Sequence, residues 1–158
     1  MRLSEWQAAA PTPESLAPRV EAAVALVLVG LGAPADAECW VLWGDDPSMR
    51  WLVFAPTPAG LLEVNVRVNV PQEGPRASGK LVRWGRVHFG DLQMDTQGGH
   101  RLLSFQLETQ VLRAVDVECD RLSAFILALF ALVDGRAGPE APSAGVAGGV
   151  PARPGRRS

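Results

Sequence analysis

The chain has 158 residues, 47% of them hydrophobic and 20% charged, and its formal net charge is -2. This composition is typical of a folded globular protein and excludes a wholly disordered chain. A net charge so close to zero gives no overall attraction for nucleic acid or for an anionic membrane, so either kind of binding requires a local basic patch. We expect a cytoplasmic protein, because the first residues lack the pattern of a signal peptide.

The N-terminal part of the chain predicts an irregular arm over residues 1–14, which prolines interrupt, followed by one helix. Ser15 suits the N-cap of that helix, and Gly30 and Gly32 supply its end. Apolar residues cover nearly the whole circumference, which indicates burial on more than one side. The uncharged segment "AAVALVLVGLGA" is well short of the ~20 residues that span a bilayer, so no membrane insertion is expected.

After Glu38 the apolar period changes to two, which predicts six or seven short strands. The segment "LLEVNVRVNV", residues 61–70, alternates most regularly and predicts a strand with one buried and one exposed face. The helical period returns in "ECDRLSAFILALFALVDG", with acidic residues in its first turn and Gly135 at its end. Residues 136–158 are rich in Gly, Ala and Pro and are predicted to be disordered.

These elements predict a single α+β domain over residues 15–135. It consists of an N-terminal helix, a six- to seven-stranded, mostly antiparallel bent sheet or partly open barrel, and a C-terminal helix. Over residues 38–135 the order of strands and closing helix resembles that of pleckstrin-homology-like domains, without a shared motif, and the leading helix departs from it. Secretion-chaperone-like proteins are a second analogy, but their mid-sheet helix is missing. Neither likeness assigns a function.

The sequence predicts no catalytic residue, no metal ligand and no cofactor. His88 and His100 have no cysteine or carboxylate beside them at ligand spacing, and His100 suits a turn. No P-loop, dinucleotide fingerprint or nucleophile elbow occurs. Cys39 and Cys119 lie far apart and are expected to be buried free thiols. Asp45 and Asp46 form a turn in preference to an acid–base pair.

One basic stretch, "SGKLVRWGRVHFGD" at residues 78–91, carries the main functional argument. In a strand, Lys80, Trp84, Arg86 and His88 share one face, whereas Arg83 lies on the other. A tryptophan between cations suits single-stranded nucleic acid, because a base stacks on the ring while the cations neutralise phosphates.

Pairing with the preceding strand offers a structural explanation of the same stretch. In one permitted antiparallel register Glu63 lies opposite Arg86, Asn65 opposite Trp84 and Asn69 opposite Lys80. Arg86 then has a carboxylate partner, and Arg67 lies diagonal to Trp84 as a cation–π contact. The sequence favours this cross-strand pairing over a ligand surface.

Three functional hypotheses follow. The first is a non-enzymatic protein-interaction module that binds a second copy of itself or another protein, with a homodimer contact at Leu26, Val29, Leu127 and Phe130. The second is a single-stranded nucleic-acid-binding domain that uses Lys80, Trp84, Arg86, His88 and Arg67. The third is an enzyme that acts on a small molecule without a recognisable motif.

Overall fold

The computed structural model describes residues 1–10, 17–43, 46 and 49–135. Helices lie at both ends of an antiparallel arrangement, which confirms the predicted α+β class. Four predicted features fall outside the described residues: the prolines of the arm, the cap at Ser15, Asp45 and the C-terminal tail. The elements, in chain order, are α1 (Leu3–Ala9), α2 (Ala17–Gly30), β1 (Trp40–Trp43), β2 (Arg50–Thr57), β3 (Gly60–Arg67), β4 (Arg76–Arg83), a 3-10 turn (Trp84–Arg86), β5 (Phe89–Gln97), β6 (His100–Leu107), β7 (Gln110–Val115) and α3 (Val117–Val133).

The strands form two antiparallel sheets, neither of which is closed. Sheet 1 has the order β1-β2-β3-β4, and sheet 2 has the order β5-β6-β7. The chain passes from the first to the second through the 3-10 turn. Within each sheet, strands that follow each other in the sequence lie side by side, as expected when short turns connect them.

Helix α1 lies where the sequence predicted an irregular arm. It begins at Leu3, and the Arg2 backbone N–H donates to the Glu5 carboxylate at 2.7 Å in a capping arrangement. The Ser4 hydroxyl donates to Asp36 at 2.9 Å, and the Trp6 indole N–H donates to the Cys39 carbonyl at 2.9 Å. These contacts attach the short helix to the segment that precedes β1.

One face of sheet 1 is apolar over most of its area and lies under α1 and α2. Helix α2 buries Val20, Val24 and Leu28, which recur at a spacing of four on one side of the helix. Its close approach to β4 depends on Gly79, where an added Cβ would lie 2.5 Å from Val27 Cγ1. The sheet side of this cluster comprises Val41, Trp51, Val53, Ala55, Leu62, Val64 and Val66.

The opposite face of sheet 1 is covered over only part of its area. Phe54 and Leu61 pack there with residues of sheet 2 and of α3, including Phe105 and Leu122. Leu61 is therefore as fully buried as its neighbours on the other face, and Glu63 is only 8% exposed. The predicted exposed face of this strand is wrong at Leu61 and Glu63, because α3 and sheet 2 cover that end.

The junction between sheet 2 and α3 is held by polar contacts. His100 Nδ1 lies 2.7 Å from an Asp116 carboxylate oxygen, and the Arg101 backbone N–H donates to the other oxygen at 3.0 Å. The hydrogen bond with His100, followed by that with Arg101, lowers the pKa of Asp116 below its ordinary value of 3.8. Arg101 also pairs with Asp120 at 3.3 Å.

Cys39 and Cys119 are both buried and free, as predicted. They belong to the two different apolar clusters on either side of sheet 1. Burial raises the pKa of Cys39 from 9.0 to about 12, which suppresses the thiolate. No described helix combines the length and the hydropathy that a membrane span needs.

Gly79→Ala is expected to lower the free energy of unfolding by about 1 kcal/mol. The added methyl group overpacks against the β-branched side chain of Val27, which costs about 1–3 kcal/mol. The lower conformational entropy of the unfolded chain stabilises the fold by less than that. Gly85→Ala is the matched control, since an added Cβ there meets no atom within 4 Å. Denaturant unfolding of both variants checks this, and equal stabilities would contradict the close contact of α2 with β4.

Asp116→Asn is expected to lower the melting temperature at neutral pH, and this difference from the unmodified protein should shrink as the pH falls through 3.8. Because the pKa of Asp116 is lowered in the fold, its ionised carboxylate stabilises the folded protein at pH values above the pKa of the unfolded state. Protonation at lower pH removes that stabilisation. Thermal melts from pH 2 to 7 measure it. Asp91→Asn, at an exposed carboxylate with no ion pair among the described residues, is the matched control for the loss of one negative charge.

Candidate functional site

The basic stretch does not form one strand, contrary to the prediction. Strand β4 ends at Arg83, and Trp84–Arg86 form the 3-10 turn that leads into sheet 2. Lys80 therefore lies on sheet 1, whereas Arg86 and His88 are exposed beyond its end. The prediction of a single shared face failed because the chain must leave sheet 1 to begin sheet 2.

Trp84 is part of the fold and not an open stacking platform. Its indole N–H donates to the Thr57 carbonyl at 3.0 Å, and its ring is stacked on Phe89 with 6.5 Å between centroids. The side chain is half-buried against the cluster beneath α3. Arg67 lies opposite Arg76, at the far end of β4, about 23 Å from the strand end that precedes Trp84.

The register of β3 and β4 differs from the predicted example, although its parity is correct. Glu63 lies opposite Lys80 and not Arg86, and Asn65 lies opposite Ser78 and not Trp84. Glu63 and Lys80 form an ion pair at 2.9 Å, and the hydrogen bond to Glu63 raises the pKa of Lys80. Lys80 is thus already paired, as the structural explanation anticipated for Arg86.

Three arginines form a row across sheet 1. Arg50 of β2 lies directly opposite Arg67 of β3, which lies directly opposite Arg76 of β4. Directly opposite residues share a face, and adjacent strands are about 4.8 Å apart, so this arginine row spans about 10 Å. All three side chains are exposed, because α3 and sheet 2 do not extend over this end of the sheet.

Polar side chains and shallow grooves adjoin the arginine row. Asn65 and Ser78 form the next cross-strand pair, and both are exposed. A groove of about 300 Å³ is lined by Arg50, Asn65 and Arg67. A second groove of about 560 Å³ reaches from Arg67, Arg76 and Ser78 to Leu26 and Val27 of α2.

Positive charge in this region is incompletely neutralised. Arg76 pairs with Glu73 at 3.1 Å, but no ion pair joins Arg50 or Arg67 to another described residue. Residues 50–86 contain six cations and only two carboxylates, within a chain of net charge -2. Like charges directly opposite each other destabilise a sheet, so the arginine row carries an energetic cost. The arginine row could not be predicted from the sequence, because its members come from three separate segments that only the register aligns.

The residues predicted to form the dimer contact do not lie on one surface. Leu26 and Val29 of α2 are 77% and 56% exposed, and Leu127 of α3 is 66% exposed. The two helices cover opposite faces of sheet 1. Phe130 packs inside the fold against Phe89 and Phe105, with ring centroids 5.7 and 5.9 Å apart.

The part of the chain that the structure describes adds no metal centre to this surface. Among the described residues no three side chains of His, Cys, Asp or Glu are grouped so that they could hold a metal ion. Comparison of the chain with protein families, with curated proteins and with solved structures gives no significant match. A function for the chain is therefore inferred from the geometry of its surfaces alone.

Arg67→Gln is expected to raise the free energy of unfolding by about 0.5 kcal/mol at low salt, because it removes the central charge of the arginine row. The gain should fade as salt screens the repulsion. Denaturant unfolding at low and high salt measures this. A variant that is less stable than the unmodified protein at low salt would show that Arg67 has a stabilising role.

Proposed function

We propose that the chain is a non-enzymatic protein-interaction module that forms a homodimer through α2 and the free edge of β4. The observation that carries the proposal is the exposed apolar side of α2. Two buried free thiols fit a reducing compartment, and we propose that the protein acts in the cytoplasm.

The exposed side of α2 is a continuous apolar stripe. Ala22, Leu26 and Val29 are exposed and recur at helical spacing, and no charged residue occurs between Ala22 and Gly30. An exposed helix face in a monomer is ordinarily polar, so an apolar stripe indicates a surface that is covered in the functional state. The small side chains of Ala22 and Ala25 allow a second helix to approach closely.

The stripe adjoins a strand edge that pairs with no other described strand. Helix α2 packs on β4, which is the edge strand of sheet 1. Leu81 of β4 faces the same side as α2 and is 37% exposed. Antiparallel pairing of two β4 edges about Gly79 sets Ala77 opposite Leu81 of the second copy, and it avoids the juxtaposition of two Lys80 side chains that centring on Lys80 would create.

A second copy of the chain fits this surface better than an unrelated partner does. A two-fold interface brings the same patch of each copy together, and a stripe without charge is complementary to itself. A stable interface involves about 20–30 residues on each side, which the stripe alone does not reach. The edge of β4 adds to this contact, whereas Val20, Val24 and Leu28 of α2 are buried inside each copy and take no part in it.

Sedimentation velocity at tens of micromolar protein tests the homodimer. The unmodified chain is expected at twice the monomer mass of 16.8 kDa. Leu26→Glu should give a monomer, because burial of an unpaired carboxylate opposes association.

Leu127→Glu is the matched control, since it introduces the same charge at a similarly exposed leucine on the other helix. It should leave the dimer intact, and circular dichroism should show that both variants are folded. A monomeric unmodified chain, or equal dissociation by both substitutions, would overturn the proposal. A dimer that only Leu127→Glu disrupts would assign the contact to α3 instead.

A further inference from the structure

We infer that the arginine row of Arg50, Arg67 and Arg76 binds the phosphate backbone of single-stranded nucleic acid. This site differs from the basic surface that the sequence predicted, since only Arg67 belongs to both. It also goes beyond the proposed homodimer, because it uses the opposite face of sheet 1.

The geometry of the row suits an extended anion. Three exposed arginines lie in line, one on each of three adjacent strands, and the row spans about 10 Å along the backbone. Each can donate two parallel hydrogen bonds to a phosphate, which makes arginine a favoured residue for phosphate recognition. A linear chain of phosphates can engage all three groups, whereas a single small anion reaches only part of the row.

The electrostatics of the row also favour an anionic ligand. Arg50 and Arg67 have no ion pair with a described residue, and the only carboxylate paired within the row is Glu73, on Arg76. Mutual repulsion of the three charges is relieved when phosphates lie between them. Binding of phosphates therefore removes a repulsion that is present in the free protein, and this favours the bound state.

The surroundings of the row favour nucleic acid over a membrane or an acidic protein. Asn65 and Ser78 lie beside it and can hydrogen-bond to sugar and base groups as well as to phosphate. The groove of about 300 Å³ beside Arg50 and Arg67 offers a recessed path that a flexible strand can follow and a flat bilayer cannot. Trp84 contributes no open ring here, so we expect little preference for sequence.

Fluorescence anisotropy of a labelled oligothymidylate of about 20 nucleotides tests the inference. Contact with three phosphates predicts a slope of about -2 for log affinity against log salt, which is a loss of about 20-fold between 50 and 200 mM. Arg67→Gln should weaken binding at low salt and reduce the slope to about -1.4, or about 7-fold over the same range.

Arg113→Gln is the matched control, because it removes the same charge from an exposed strand position on sheet 2. It should bind like the unmodified chain, and this comparison in the full chain also separates the arginine row from the four arginines of residues 136–158. An equal loss of affinity in both variants would show that binding depends only on the net charge of the protein, and it would overturn the inference. Absence of binding at 50 mM salt would overturn it as well.

Two further probes distinguish the other classes of anion. Vesicles that contain phosphatidylserine and a polyglutamate peptide are measured in the same buffer, and both should bind more weakly than the oligonucleotide. Tighter binding of either one, lost in Arg67→Gln, would assign the row to a membrane or to an acidic protein instead. Val29→Glu also places a carboxylate on the apolar stripe, but Val29 does not line the grooves beside the arginine row, so this variant should lose the homodimer and retain oligonucleotide binding per chain. Failure of the homodimer and failure of this site therefore give different results.

Discussion

Burial of one half of sheet 1 on both faces is the constraint on which the rest of the structure depends. Leu61 and Leu62 are consecutive residues on opposite faces, yet neither is exposed to solvent. A strand in that position cannot slip by one residue without exchanging its two sets of contacts. The two-sided burial therefore fixes the register of β3, and through β3 it fixes which side chains of β2 and β4 lie in line at the uncovered end.

The sequence was sufficient to predict the order of the helices and strands after α1, the antiparallel pairing and the parity between β3 and β4. It could not predict the register, because alternation of apolar residues permits shifts in steps of two. Arg86 and Lys80 are six positions apart and have the same parity, so the pattern alone made both acceptable partners for Glu63. Helix α1 was missed for a related reason: its contacts with Asp36 and Cys39 are distant in sequence and leave no local signal.

The candidate surfaces were harder to predict than the helices and strands, because they too depend on contacts between residues that are distant in sequence. The basic residues most conspicuous in the sequence are consecutive along the chain, but the strand end at Arg83 separates them. The arginines that do assemble are scattered in sequence and are aligned by the sheet. If two copies pair along β4 about an axis perpendicular to the sheet, both arginine rows lie on the same side of one continuous sheet. A long polyanion can then bind both rows at once. Its affinity rises because the second row binds it at a high effective concentration, although neither row makes a contact that it lacks alone.

The position of Trp6 has a consequence for the cooperativity of unfolding. Its ring packs against both apolar clusters, one on each side of sheet 1, and makes edge contacts with Trp40 and Trp43. Helix α1 has only seven residues, too few to persist when detached, so its helical state exists only while it is docked. Undocking therefore opens both clusters in the same event. Two apolar clusters that were independent of each other could unfold in two stages. Because α1 packs against both, it couples them so that they unfold together.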